Sequence, residues 1–280
     1  MLDPIVVEES IDRALAEDIG FCDLTSELVI PAEARAELAL NARQDIVVAG
    51  IDVTASVFRR RVPDCRVELR VKDGDRVKAG AAMGRIEGAA RGLLAVERTA
   101  LNFLQHLSGI ATLTAQYAER IAGMRAELID TRKTTPGLRA LEKHAAHVGG
   151  ARNHRLRLDD GVLIKDNHIS VCGSVAVAVR RARAGTPVLT KIEVECDTLE
   201  QVREALEAGA DMILLDNMGL DEMRQAVALS GGRTPLEASG GIRLENIRHI
   251  AETGVDFISV GRITQSAPAV DIGLDAVIKE

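Results

Sequence analysis

From about residue 127 onward the chain repeats one rhythm, and that rhythm limits the folds open to it. Six short apolar stretches, ELIDT (127–131), GVLIKD (161–166), PVLTKIEVE (187–195), ADMILLDN (210–217), TPLEASGG (234–241) and DFISVGR (256–262), begin roughly 20–35 residues apart. Most are apolar at successive positions rather than alternate ones, the mark of strands covered on both faces. Helical patterns separate them. Thr198-Leu199-Glu200-Gln201 is a capping box that leads to Val202 and Leu206, and Gly209 ends that helix. Leu244, Ile247 and Ile250 repeat the spacing before Gly254. Buried strands alternating with helices build a parallel sheet. Six strands, with a seventh candidate near His147–Arg152, suit a (β/α) barrel, closed or incomplete.

The preceding part has another rhythm. Residues 5–19 space Ile5, Val6, Ile11, Leu15 and Ile19 for one helical face. From about 27 to 90 the pattern is strand-like: ARAELALNAR and CRVELRVKDG alternate apolar and polar, as in a sheet with one wet face. DGDRVKAGAAMGRIEG resembles the half-barrel turns of lipoyl and biotinyl carriers, but its tip is Gly80-Ala81-Ala82-Met83, with no lysine to modify, so it serves as scaffold. Residues 91–122 form a long helical pattern with Leu94, Leu101, Leu104, Leu107, Ile110 and Leu113 in one stripe.

A chain of 280 residues suits one large domain, or a large one with a small companion. The net charge of −7 opposes binding to a phosphate backbone, and four Phe, one Tyr and no Trp leave no platform for base stacking, so nucleic acid is not expected as a partner. Cys22, Cys65, Cys172 and Cys196 are too scattered for a zinc site or a disulfide framework, and reduced thiols in the cytoplasm are expected. The acidic, amphipathic N-terminus lacks the basic region of a signal peptide, and no run of about 18 apolar residues is present, so no membrane span is expected.

The chemistry concentrates where such barrels keep it, at the C-terminal ends of the strands. Those ends carry Arg132 and Lys133; Lys165, Asp166, Asn167 and His168; Glu193 and Glu195; Asp216 and Asn217; Ser239, Gly240 and Gly241; and Gly261. Within Ile129–His168, eight Lys/Arg face five Asp/Glu, an excess of three positive charges in an acidic chain, and four of the six histidines fall there. Arginine forks and lysine ammonium groups match carboxylate and phosphate oxygens. Glu195 and Asp216 suit ribose hydroxyls or Mg²⁺. Ser239-Gly240-Gly241, opening toward a helix near Leu244, offers bare backbone N–H groups to a phosphate. The expected ligands carry carboxylate, phosphate and sugar. Glu193 shares a strand face with Glu195 and is expected to orient Lys165 or Lys191, while His144 and His147 are expected on a solvated or packed helix face.

DTRKTTPGLR, NHRLRLDDGVLIKDNH, KIEVE, LLDN, EASGGI and VDFISVGR, with AEDIGFCDLTSELVIP and ERTALNFLQHLSGIAT before them, resemble the ordered signatures of the quinolinate phosphoribosyltransferases over nearly the whole chain. The resemblance implies an α/β fold: a small α+β open-sandwich domain with a connecting helix (1–110), then an incomplete parallel (β/α) barrel (111–269), with the tail 270–280 packing back on the first. It implies phosphoribosyl transfer from phosphoribosyl pyrophosphate to quinolinate, with Mg²⁺ and loss of carbon dioxide. Arg132, His154, Arg155 and Lys165 would surround the quinolinate carboxylates, and Lys133 would face the donor. Glu195 and Asp216 would hold ribose hydroxyls and metal. Ser239, Gly240 and Gly261 would contact the 5′-phosphate. Arg98 would reach into a neighbouring subunit's site, making a homodimer the smallest working unit. The chain departs from the family pattern at Gln265, where many members carry His, and at Gly149-Gly150-Ala151, which replaces a triple glycine. Three other readings stand beside this one. They are a phosphoribosyltransferase for another pyridine carboxylate or a molybdenum-operon paralogue, a Schiff-base aldolase using Lys165 or Lys191, and a non-catalytic anion-binding dimer.

Overall fold

A computed structural model describes residues 2–277. In chain order the elements are α1 (Pro4–Ile19), α2 (Leu24–Val29), β1 (Arg35–Ala42), β2 (Ile46–Val47), α3 (Ile51–Arg61), β3 (Arg66–Leu69), β4 (Arg76–Val77), β5 (Ala82–Ala89) and α4 (Ala90–Arg120). They continue as β6 (Glu127–Ile129), α5 (Arg139–Val148), β7 (Val162–Ile164), α6 (Asp166–Cys172), α7 (Val175–Gly185), β8 (Ile192–Cys196) and α8 (Leu199–Glu207). The last are β9 (Met212–Asp216), α9 (Leu220–Ser230), β10 (Leu236–Ser239), α10 (Ile247–Ala251), β11 (Phe257–Ser259), α11 (Arg262–Gln265) and β12 (Ile272–Ala276).

Two compact units result. One comprises the chain up to Ala115, Thr134–Gly150 and the chain from Ile263; the other comprises Gln116–Lys133 and Ala151–Arg262. The expected spans, 1–110 and 111–269, differ from these in the placement of the α5 segment and of the stretch from Ile263. In the first unit β12, β1, β5 and β3 form an antiparallel sheet in that order, and β2 pairs with β4. Leu38 pairs with Ile86 and Ala276, so the chain's end joins the sheet as a strand; residues 278–280 of the expected tail lie outside the described residues. Alternate positions of β1, Leu38, Leu40 and Ala42, are buried, as its period-2 pattern requires. Two helices interrupt the region expected to be strand-like. In α3 the buried residues Ile51, Thr54, Ala55 and Phe58 recur at helical spacing, and the Thr54 hydroxyl donates to the Gly50 carbonyl at 3.0 Å. The β-branched IDVTASVF looks extended, but packing of one face overrides that propensity. On α1, Ile11 is buried while Ile5 is exposed, so the expected apolar face is only partly covered.

In the second unit six strands form one parallel sheet, ordered β6-β11-β10-β9-β8-β7. The seventh candidate is a single parallel bridge, Arg152 beside Ile129. Gly149 and Gly150 bring no side chains to a strand, and Arg152 is the last residue before the loop 153–161. No pairing joins that edge to β7 among the described residues, so the barrel is incomplete. The strand PVLTKIEVE shortens to β8, because Pro187–Thr190 forms a turn closed by Thr190 N–H and the Pro187 carbonyl. The Thr198 capping box forms as expected, with Thr198 accepting from Gln201 N–H and Gln201 from Thr198 N–H. The helix expected from Leu244 begins only at Ile247 and runs five residues. No helix among the described residues is long and apolar enough to cross a membrane.

Candidate active site

The C-terminal ends of the parallel strands surround a cavity of about 600 Å³. Its lining includes Arg132, Lys133, His154, Arg155, Lys165, Glu195, Asp216, Asn217, Ser239, Gly240 and Gly241 of the expected residues, and adds Asp130, Glu237 and Ser259. Gly261 and Arg98 do not line it. Arg98 is exposed on α4 in the first unit, and Gln265 is exposed on α11.

Asp130 organises the cationic side. It follows β6, is fully buried, and accepts from Asn153 Nδ2 at 2.7 Å and from the His154 backbone N–H at 2.8 Å. That tether carries the loop 153–161 across the gap in the barrel. The loop folds tightly because Asp160 accepts from the Leu156 and Arg157 N–H groups at 2.5 and 2.9 Å. Arg155 is then held by its own donation to the Gly161 carbonyl at 2.9 Å. Burial, and next the nearby Arg132, pull the Arg155 pKa below its usual value. Both arginines line the cavity, and like charge gathered there suits an anion. Lys133 passes directly over Gly261: a Cβ at 261 would fall 2.7 Å from Lys133 Cδ. Gly261 thus shapes the site by leaving Lys133 room.

His154, expected at the quinolinate carboxylates, lines the cavity, and both its ring nitrogens meet protein groups. Its Nδ1 accepts from the Arg155 backbone N–H at 2.8 Å, and its Nε2 lies 2.8 Å from Glu193 Oε2 and 3.5 Å from Glu237 Oε2. With Nδ1 accepting, the proton sits on Nε2 and points at the carboxylates. Both nitrogens are engaged, and the ring ties the Arg155 backbone to Glu193. Glu193 accordingly serves His154, and neither Lys165 nor Lys191. Glu237 lies almost completely buried in β10. Burial first, then repulsion from Glu193, raise its pKa well above the usual carboxylate range, while Ser259 and Lys165 act in the opposite direction. His154, Glu193 and Glu237 form the cluster of possible metal-ligating residues among the described residues.

On the opposite side, Lys165 Nζ forms an ion pair with Glu195 Oε2, and its backbone N–H donates to His168 Nδ1 at 2.9 Å. Asp216 ends β9 directly beside Ser239 at the end of β10. Gly240 and Gly241 both have positive φ, 89° and 63°, which turns the chain sharply after the strand. The short α10 leaves this turn, and no helix terminus, as the candidate phosphate seat. Away from the cavity, His144 Nε2 pairs with Asp73 Oδ2 at 2.8 Å, so this histidine occupies a packed face. The sequence pattern points to Asn217 only as a strand-end residue without a role, and to Asp130 and Glu237 not at all. A glutamate between Leu236 and Ala238 in a strand buried on both faces is itself a signal, because charge there is costly.

The family model for quinolinate phosphoribosyl transferase, C-terminal domain, matches residues 110–275, and that for the N-terminal domain matches residues 23–108. The chain is 45% identical over 273 residues to nicotinate-nucleotide pyrophosphorylase [carboxylating] of Mycobacterium leprae, covering 95% of this chain and 96% of that one. It is similar to the solved structure of NadC from Streptococcus pyogenes, with a TM-score of 0.94, 40% identity and 99% of each chain covered. The nicotinate-nucleotide pyrophosphorylase from Francisella tularensis gives a TM-score of 0.95 at 36% identity, covering 99% of this chain and 98% of that one.

Proposed function

The chain belongs to the quinolinate phosphoribosyltransferase family, and from that membership and the barrel cavity we infer how it works. It is a carboxylating nicotinate-nucleotide pyrophosphorylase. It transfers the phosphoribosyl group of phosphoribosyl pyrophosphate to the ring nitrogen of quinolinate, releasing pyrophosphate and carbon dioxide and leaving nicotinate mononucleotide for de novo NAD synthesis. One observation carries the assignment of roles: cations and carboxylates from different strands line the same cavity of about 600 Å³.

Quinolinate is a dianion and the donor is more negative still, so bringing them together out of water requires fixed positive charge. Arg132 and Arg155, with Lys165 across the cavity, grip the two carboxylates. Lys133 faces the donor. His154 acts through Arg155. As the anomeric bond breaks, positive charge grows on the ribose ring, as in glycoside cleavage. Glu195 and Asp216 favour that charge and hold the ribose hydroxyls. Ser239, Gly240 and Gly241 seat the 5′-phosphate. The ring nitrogen attacks as a lone pair and needs no base, so much of the rate comes from alignment. The same Glu195 and Asp216 offer hard oxygen donors on adjacent strands, a set that fits Mg²⁺. Bound there with the donor, Mg²⁺ would neutralise charge on the departing pyrophosphate. The pairing of Lys165 with Glu195 disfavours a Schiff base at that lysine.

Arg98 is proposed to complete a partner's site in a homodimer. It stands exposed on α4, and its neighbours Thr99, Asn102, Phe103 and His106 line an open groove of about 620 Å³ in the first unit. A cytoplasmic location suits the four free cysteines.

The assay is direct. Incubation with quinolinate, phosphoribosyl pyrophosphate and Mg²⁺ is expected to yield nicotinate mononucleotide. Turnover of nicotinate alone would reassign the substrate. Ligand binding with no product would favour the anion-binding reading.

A further inference from the structure

Among the described residues, Asn217 is the one non-glycine residue with positive φ, at 55°. Side chains avoid that region, and asparagine tolerates it better than most. Such strain persists where the surroundings enforce it, often beside a site of chemistry. Here the surroundings are explicit. The Asn217 backbone N–H donates to the Ser239 carbonyl at 2.9 Å, tying the end of β9 to the end of β10. Its Nδ2 donates to Asp216 Oδ2 at 2.8 Å. Its Oδ1 lies where residue 240 would carry a side chain: a Cβ on Gly240 would fall 2.1 Å from Asn217 Oδ1 and 2.6 Å from Cγ. One amide therefore touches both the carboxylate on the sugar side and the glycine turn on the phosphate side.

Resting on the reaction inferred above, we propose that Asn217 is the positioning residue for the phosphoribosyl donor. It fixes the Asp216 carboxylate in one orientation toward the ribose hydroxyls, and it braces the Ser239–Gly241 turn so that its N–H groups face a phosphate. Gly240 is required because Asn217 fills the space a side chain would take. Both parts of the donor seat are thus set before the donor arrives, while the quinolinate grip comes from Arg132 after β6 and Arg155 on the loop 153–161.

The test uses the full-length protein with N217G, N217D, G240A and the double variant N217G/G240A. The first two remove the amide donor without adding bulk, and N217D also sets a like charge against Asp216. Residues that orient a contacting group typically change activity by about 10–100-fold, and a fall of that size in kcat/KM for phosphoribosyl pyrophosphate is expected. Quinolinate affinity, titrated without the donor, should stay at the parent value. Thermal melting supplies an arm independent of activity: G240A should melt lower than the parent, and adding N217G should recover part of that loss, because the clashing Oδ1 is gone. Strictly additive melting shifts would overturn the steric bracing. Parent-like donor kinetics in both Asn217 variants, or equal loss of donor and quinolinate binding, would overturn the positioning role. A parent protein that makes no nicotinate mononucleotide would instead defeat the reaction itself, leaving the melting arm to judge the latch.

Discussion

Two regions of this molecule are crowded with charge, and they use it in opposite ways. On the antiparallel sheet, Glu37, Arg66, Glu68, Arg85 and Glu87 line a shallow surface hollow. Their strands set Glu68 opposite Arg85 and Arg66 opposite Glu87, so unlike charges meet across the ladder. Arg85 pairs with Glu37 at 2.7 Å, and Arg66 pairs with Glu68. The charges answer one another, and solvent reaches all of them but the largely covered Glu37. In the barrel, beside the Lys165–Glu195 ion pair, like charges are also set against one another. Arg132 opposes the charge of Arg155, and Glu193 opposes that of Glu237 in near-complete burial. Charge that is balanced locally makes a soluble surface. Charge gathered by sign in a cavity costs stability, and a ligand of opposite sign offsets that cost.

Quinolinate binding gives the sharpest test of that contrast. Arg132→Ala removes a charged partner from a carboxylate drawn out of water. The expected loss is about 2–3 kcal/mol, or about 30–150-fold in the dissociation constant. Calorimetric titration measures it, and affinity equal to the parent's would place the carboxylates elsewhere.

The buried acids offer the next effect in size. The Glu237 carboxyl has a folded pKa well above the usual 4.5. A group that binds its proton more tightly when folded favours folding fully below the unfolded pKa, and that contribution fades as pH rises toward the folded value. Glu193, His154, Ser259 and Lys165 are the groups that face or influence it. Glu237→Gln keeps a neutral donor in place of the protonated acid and removes the titration. The parent's melting temperature should fall relative to the variant's as pH rises from acid to alkaline, with little difference at acid pH. A constant gap between the two across that range would show that Glu237 does not hold its proton.

The sheet, the capping box and most of the cavity lining were legible because each depends on local pattern. Strand ends announce themselves when an apolar run stops at Lys165, Asp216 or Ser239. Other features depended on contacts that no spacing encodes. His154 stood out as a site residue, but its bonds to the Arg155 N–H and to Glu193 could not be read from spacing. Helix α3 was hidden by β-branched residues whose fate was decided by burial of Ile51 and Phe58. The bracing role of Asn217 follows from φ, which a sequence hints at only through the tolerance of asparagine for that conformation.

The smallest effect is expected on the wet sheet, and it is the one that could break the contrast. Arg85 is about half exposed, with the side chain of Glu37 as its partner. Although the Glu37 side chain is largely covered, at 13% exposure, water and salt reach the guanidinium, and surface pairs contribute about 0.2–1 kcal/mol. Arg85→Ala should therefore move the melting temperature only slightly, less at high salt than at low salt. Quinolinate and phosphoribosyl pyrophosphate kinetics should not change, because no part of the ladder lines the cavity. A large, salt-insensitive loss would mean that this pair is as desolvated as the barrel charges. Burial of charge would then no longer separate the site from the surface, and the clustering of like signs alone would have to carry the distinction.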